Sequence, residues 1–193
     1  MNEEQLGGQR PRQSGDSDVP AWLERAQKQW KLYVGIAAVL TAIIAGAWWY
    51  VGDSAQKNEE AATHLSRIRS TFEAGEFEAA LTADTIAPVG TERVLGLVEI
   101  SDTYSGTDAG KVAALMAGNS LTNLGRFDEA RTHFERAAGS SSTVVEVGAT
   151  QGLAACEEAA GNNEKAAEMY EQAAKKASKT GLEGQCYYRA GLN

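Results

Sequence analysis

Three hydrophobic patterns follow one another along the chain. From Met1 to Val19 large apolar residues are nearly absent and Gly, Ser, Gln and charged residues predominate, so residues 1–19 are expected to form a disordered leader. From Leu32 to Gly52 there are 21 consecutive uncharged residues. At about 1.5 Å per residue a helix of that length reaches roughly 30 Å, the hydrocarbon thickness of a bilayer. Beyond Asp53 the apolar residues recur three and four positions apart with charged residues between them, the spacing of amphipathic helices.

The uncharged stretch reads as a transmembrane helix over 32–52. Trp30 and Tyr33 mark one end, Trp48, Trp49 and Tyr50 the other, as rings that favour the headgroup level do. Before it, residues 20–31 form a juxtamembrane segment in which Trp22, Leu23, Ala26 and Trp30 fall on one side of a short interfacial helix. Arg25, Lys28 and Lys31 lie close to the near end, whereas Lys57 is the lone cation just beyond the far end. Positive residues stay on the cytoplasmic side, so the leader is expected in the cytoplasm and residues 53–193 outside it. A cleaved signal peptide is the competing reading, but its apolar core runs only about 7–15 residues behind a shorter leader. Ala38, Ala42 and Gly46 recur every fourth residue, a small-residue stripe along which another helix could approach.

Sliding the remainder against itself gives a register of 36 residues, in which Gly118, Gly125, Ala130, Phe134 and Ala137 fall on Ala154, Gly161, Ala166, Tyr170 and Ala173. A fixed period of this size indicates stacked helical hairpins. In the first, Val112–Leu124 forms helix A, Gly125 ends it, and Asp128–Ala138 forms helix B. The small residues mark close helix crossings and the aromatic fills the space towards the next hairpin. The full units are assigned to about 109–139 and 145–178. A weaker copy, about 60–90, contains Gly75-Glu76-Phe77-Glu78-Ala79-Ala80, and an additional packing helix is expected within 92–105. Residues 183–193 look like the first helix of a third unit, as a truncated repeat or a terminal cap.

The charge of −8 sharpens this division: residues 1–52 are balanced, and the 53–193 part carries 13 basic and 21 acidic residues. Such a domain repels phosphate backbones, so nucleic acid is not an expected ligand. Cys156 and Cys186 are too few for a disulfide framework and lack metal-ligand spacing; structural thiols are favoured, with a single disulfide left open. No phosphate-binding loop, paired-histidine metal motif or nucleophile elbow is present. His133, between Thr132 and Phe134, is expected to face solvent. The adjacent acidic pairs Glu59-Glu60, Asp128-Glu129 and Glu157-Glu158 are expected on solvated faces, because neighbours on a helix point about 100° apart.

The hairpins, above all Gly125-Arg126-Phe127-Asp128-Glu129-Ala130 and Gly161-Asn162-Asn163-Glu164-Lys165-Ala166, resemble the tetratricopeptide repeat (TPR) family. The order of parts is similar to that of YfgM-like ancillary subunits of the Sec translocon. The segment Tyr104 to Ala113 looks like the linker and helix start of such proteins, with Thr107 or Asp108 as the cap. The fold class expected is therefore all-α: one N-terminal transmembrane helix followed by a TPR-like helical-hairpin solenoid.

The resemblance implies a non-enzymatic protein-binding module on the periplasmic face of a bacterial inner membrane, an ancillary chaperone or adaptor at the protein-export translocon. Its partners would be membrane-complex subunits or exported clients. The other reading is a structural accessory subunit of another large membrane complex, packed through Ala38, Ala42 and Gly46. No catalytic residue, metal or cofactor is expected. The binding surface is assigned to the groove of the A helices, with Leu115, Asn119 and Thr122 from one unit and Gln151, Ala155 and Glu158 from the next.

Overall fold

The computed structural model describes residues 21–88, 90, 92–178, 181 and 183–192. The leader expected over 1–19 lies outside the described residues, as do the side chains of Trp22, Arg25, Lys28, Lys31, Trp49 and Tyr50 invoked for the membrane boundaries. Among the described residues eight α-helices and no β-strand occur: α1 Ala21–Glu73, α2 Phe77–Thr82, α3 Leu97–Thr103, α4 Asp108–Asn123, α5 Phe127–Ala137, α6 Thr143–Ala159, α7 Asn163–Lys176 and α8 Glu183–Ala190. The protein is all-α. It divides into two units, Met1–Trp48 and Trp49–Asn193.

In the first unit α1 is the one helix among the described residues long and apolar enough to cross a membrane. Between Trp30 and Trp48 its large apolar side chains, among them Leu32, Ile36, Leu40, Ile44 and Trp48, are exposed. By length and composition this part of α1 is a candidate membrane span.

In the second unit the C-terminal part of α1 supplies core residues: Ala61 and Ile68 are fully buried, with Leu65 and Phe72 packed beside them. The same turn then closes three helices. Gly125, at φ +75°, adopts the left-handed conformation that a side chain disfavours. Its N–H is donated to the Thr122 carbonyl and that of Arg126 to the Leu121 carbonyl. This pair of bonds satisfies carbonyls that a helix end leaves open. Gly75 and Gly161 make the identical pair, with Glu76 and Asn162 in the place of Arg126. The turn geometry thus recurs at all three glycines read from the sequence.

After these turns α4 packs on α5, α6 on α7, and α5 on α6, so each helix pair leans on the next. Phe134 and Tyr170, 36 residues apart, are both buried, as are Ala130 with Ala166 and Ala137 with Ala173. The Phe134 ring lies between two glycines: a Cβ at Gly118 would fall 2.6 Å from it and one at Gly152 would fall 2.4 Å from it. The absence of both side chains lets α4 and α6 close on the ring. Thr107 caps α4, its Oγ1 accepting the Gly110 N–H at 3.0 Å. Asn58 of α1 adds a second cap across the fold, its Oδ1 accepting the Ala109 N–H at 2.9 Å. Four potential orphan donors at this helix start are thereby reduced by two.

Upstream, α2 has only six residues, and the stretch expected to be helical over 92–105 is helical only from Leu97. A Cβ at Gly96 would stand 2.2 Å from the Leu81 carbonyl oxygen, so the chain presses directly on α2 and turns into α3 there. Arg67 with Glu92 and Arg93 with Glu99 pin this connection.

Candidate functional site

Side chains from α4, α6, α7 and α8 line a groove of about 270 Å³. Five of the six residues assigned from the sequence are on its wall: Leu115, Asn119 and Thr122 from α4, and Gln151 and Ala155 from α6. They converge because α4 and α6 are the corresponding helices of successive pairs and pack side by side. Gly148 assists, since a Cβ there would already touch Leu115 at 3.2 Å. Glu158 is not on the wall. It is exposed and accepts a hydrogen bond from the Tyr170 hydroxyl at 3.1 Å, acting on the groove through that ring.

The groove also has residues that the period did not reveal. Gln185 and Arg189 of α8 close one side, and the Arg189 guanidinium stands 5.9 Å from the centre of the Tyr170 ring, within cation–π range. Burial raises the Tyr170 hydroxyl above its ordinary pKa, so it stays a neutral donor. The partial unit was readable at 183–193, but which of its side chains turn inward depends on how α8 packs on α7.

The hydrogen-bonding capacity of the wall follows from what each group already does. Gln151 donates through Nε2 to the Cys186 thiol at 2.8 Å, leaving its amide oxygen as an acceptor. Thr122 donates to the Gly118 carbonyl at 2.9 Å and retains lone pairs. The Asn119 side-chain amide has no partner among the described residues, so it offers a donor and an acceptor. Arg189 is the single charged residue on the wall among those described. Apart from Arg189, the polar groups of this wall are uncharged amides and hydroxyls, of the kind that pair with a peptide main chain.

Two sequence expectations are corrected. His133 does not face solvent: it is buried, and its Nδ1 is 3.4 Å from Ser101 Oγ of α3. Burial and the Arg136 charge lower its pKa, which keeps the ring neutral. Glu157 is not on a solvated face either, being 3 % exposed. It accepts hydrogen bonds from Arg131 at 2.5 Å, Lys165 at 2.8 Å and Asn162 at 2.8 Å. Lys165, Asn162 and Arg131 together bring its carboxyl down to about 2. One carboxylate therefore ties α5, α6 and the start of α7.

Both cysteines are buried free thiols, which removes the disulfide reading. Among the described residues no three His, Cys, Asp or Glu side chains are grouped to hold a metal. Ala38, Ala42 and Gly46 are exposed on α1, and nothing lies within 4 Å of a Cβ placed at Gly46. No protein-family model, curated protein or solved structure matches this chain.

Proposed function

We propose that the chain is a non-enzymatic, membrane-anchored TPR-type binding module. Its groove holds extended segments of other proteins at the periplasmic face of a bacterial inner membrane, as an ancillary chaperone or adaptor beside the protein-export translocon. The observation that carries this reading is the convergence of Asn119, Thr122, Gln151 and Gln185 on one groove with spare amide and hydroxyl capacity. Such groups pair with a peptide backbone without reading its side chains, which suits a tolerant holder of clients. Support for the TPR-type array comes from the three identical glycine turns and the 36-residue register of buried small and aromatic residues. Support for the orientation comes from the sequence, in which Arg25, Lys28 and Lys31 precede the span.

The test is crosslinking. A photoreactive amino acid is placed at Asn119 or Gln151 in the full chain, in membranes, and the adducts are identified after detergent extraction. Export-channel subunits and unfolded exported proteins are the expected adducts. The double variant Asn119→Ala, Gln151→Ala, with a crosslinker at Ala155, should reduce their yield while circular dichroism stays that of the parent. Unchanged crosslinking to every partner would remove the groove from the function. A fixed stoichiometric complex of unrelated activity, captured from Ala38, Ala42 and Gly46 and not from the groove, would instead establish the accessory-subunit reading. The stripe of small residues Ala38, Ala42 and Gly46, four apart, is what motivates that second reading.

A further inference from the structure

A larger cleft, about 490 Å³, opens between α2, α3, α4 and α5, on helix faces separate from the peptide groove. Its volume is that of a small-ligand or side-chain pocket. The floor is apolar: Leu81 and Leu121 are each 2 % exposed, and Val98 packs against the same core. Its rim is charged. Glu78, Glu99, Asp102 and Glu129 stand around it, each with a side chain two-fifths or more exposed.

The charge balance of the rim is incomplete by one cation. Arg93 pairs with Glu99, Arg136 with Asp102, and Arg126 serves both Glu129 and Glu78. Arg126 grips Glu129 at 2.6 Å and reaches Glu78 only at 3.3 Å, so Glu78 is the least satisfied of the four. A carboxylate accepts at about four lone-pair positions, and a guanidinium fork occupies two of them. Acceptor capacity therefore remains on every rim carboxylate. At the inner wall the His133 ring is 8 % exposed, and with Nδ1 directed at Ser101 its Nε2 has no partner among the described residues.

We infer that this cleft is a docking site for one basic side chain, a lysine or arginine of a partner protein. Its aliphatic stem lies on Leu81, Leu121 and Val98, and its cationic head joins the carboxylates at Glu78. Long basic side chains are matched to such a place, because the stem gains from burial while the head keeps polar partners. The cation also neutralises the surplus carboxylate, and the acidic balance of residues 53–193 attracts basic partners to the domain as a whole. Of its four helices only α4 also lines the groove, and through other residues, so the site stands whether or not the groove binds peptide.

The experiment uses n-butylguanidinium, which is an arginine head on a stem, and its neutral isostere n-butylurea. Each is titrated into the methyl-labelled full chain in non-ionic micelles, with the Leu81 and Leu121 methyl groups and the His133 ring observed by NMR. The expected result is a saturable shift of all three with the guanidinium. It should be weaker by roughly two- to fivefold in Glu78→Gln and by a similar factor on raising salt, as exposed ion pairs are. Asp102→Asn is the second variant should Glu78→Gln disturb the helical signal, and it is expected to weaken binding likewise. No saturable shift at these residues, an equal response to n-butylurea, or binding indifferent to both variants would overturn the assignment.

Discussion

The clamp on Phe134 yields the sharpest quantitative expectation. Phe134 is 1 % exposed, and both Gly118 and Gly152 press on its ring. In Gly152→Ala the new Cβ would begin 2.4 Å from two ring carbons, against the roughly 3.5–4.0 Å at which carbon atoms are content. The ring is fully enclosed, and Gly118 approaches the same ring carbons, a Cβ there falling 2.6 Å from the nearest of them, so a shift of the ring is resisted. Overpacking of this kind costs about 1–3 kcal/mol, partly offset by the ~1 kcal/mol that alanine gains over glycine inside a helix. Phe134→Ala alone opens a cavity and should cost about 3–5 kcal/mol. With the ring gone, the clash disappears and Gly152→Ala should become stabilising by about 1 kcal/mol. The two substitutions are therefore coupled by about 1–3 kcal/mol, the double variant being more stable than the sum predicts. Thermal unfolding of the full chain in micelles, followed by circular dichroism, resolves this at about 3 °C per kcal/mol. Additive losses, agreeing within about 0.5 kcal/mol, would refute the clamp.

Gly118→Trp and Ala130→Trp should each cost several times more than Gly152→Ala and unfold the second unit, since both positions are buried at helix crossings; melting curves equal to the parent's would contradict the hairpin packing. Glu157, with its folded pKa about 2 against an ordinary value of 4.5, contributes stability that is present above pH 4.5 and is lost as the pH falls towards 2. The melting advantage of the parent over Glu157→Gln should shrink across that window, and an advantage constant from neutral pH to pH 2 would exclude the three-donor arrangement. His133, whose folded pKa is depressed, should titrate by NMR below a free histidine, and stability should fall as the pH drops beneath about 6.5 in the parent and less so in His133→Gln. A reporter active only outside the cytoplasm is expected to work when fused after Asn193 and to fail when fused before Trp22; the reverse outcome inverts the orientation.

Helix stops at glycine were legible because they depend on neighbouring residues, whereas other bounds were not: α4 begins at Asp108 and not Val112, and α1 runs on past Gly52 to Glu73. Gly125 and Gly161 were readable as turns, as glycine takes φ near +75° to +81° at little cost, and of the two cap candidates, Thr107 and Asp108, Thr107 is the one that caps α4. The faint copy at Gly75 was legible for the same reason, its turn bonds being those of the other two. The groove residues Leu115, Asn119, Thr122, Gln151 and Ala155 were legible because helical spacing selects a stripe and the 36-residue register brings two stripes together.

The sequence by itself determined the anchor-length uncharged stretch, the all-helical class, the three turns and one wall of the groove, since each rests on contacts within a few residues or on a simple period. Tertiary structure alone decided what stands opposite each face. His133 is buried because α3, itself shortened by the contact of Gly96 with Leu81, brings Ser101 over it from 32 residues away. Glu157 leaves solvent because Arg131 arrives from 26 residues upstream to meet Lys165 and Asn162. Gly152 falls outside the repeat register yet is required, because the Phe134 ring of the preceding pair occupies the space its side chain would fill. Periodicity specifies which direction a side chain points along its own helix; the residue it then meets is set by helix packing, which the linear pattern does not encode.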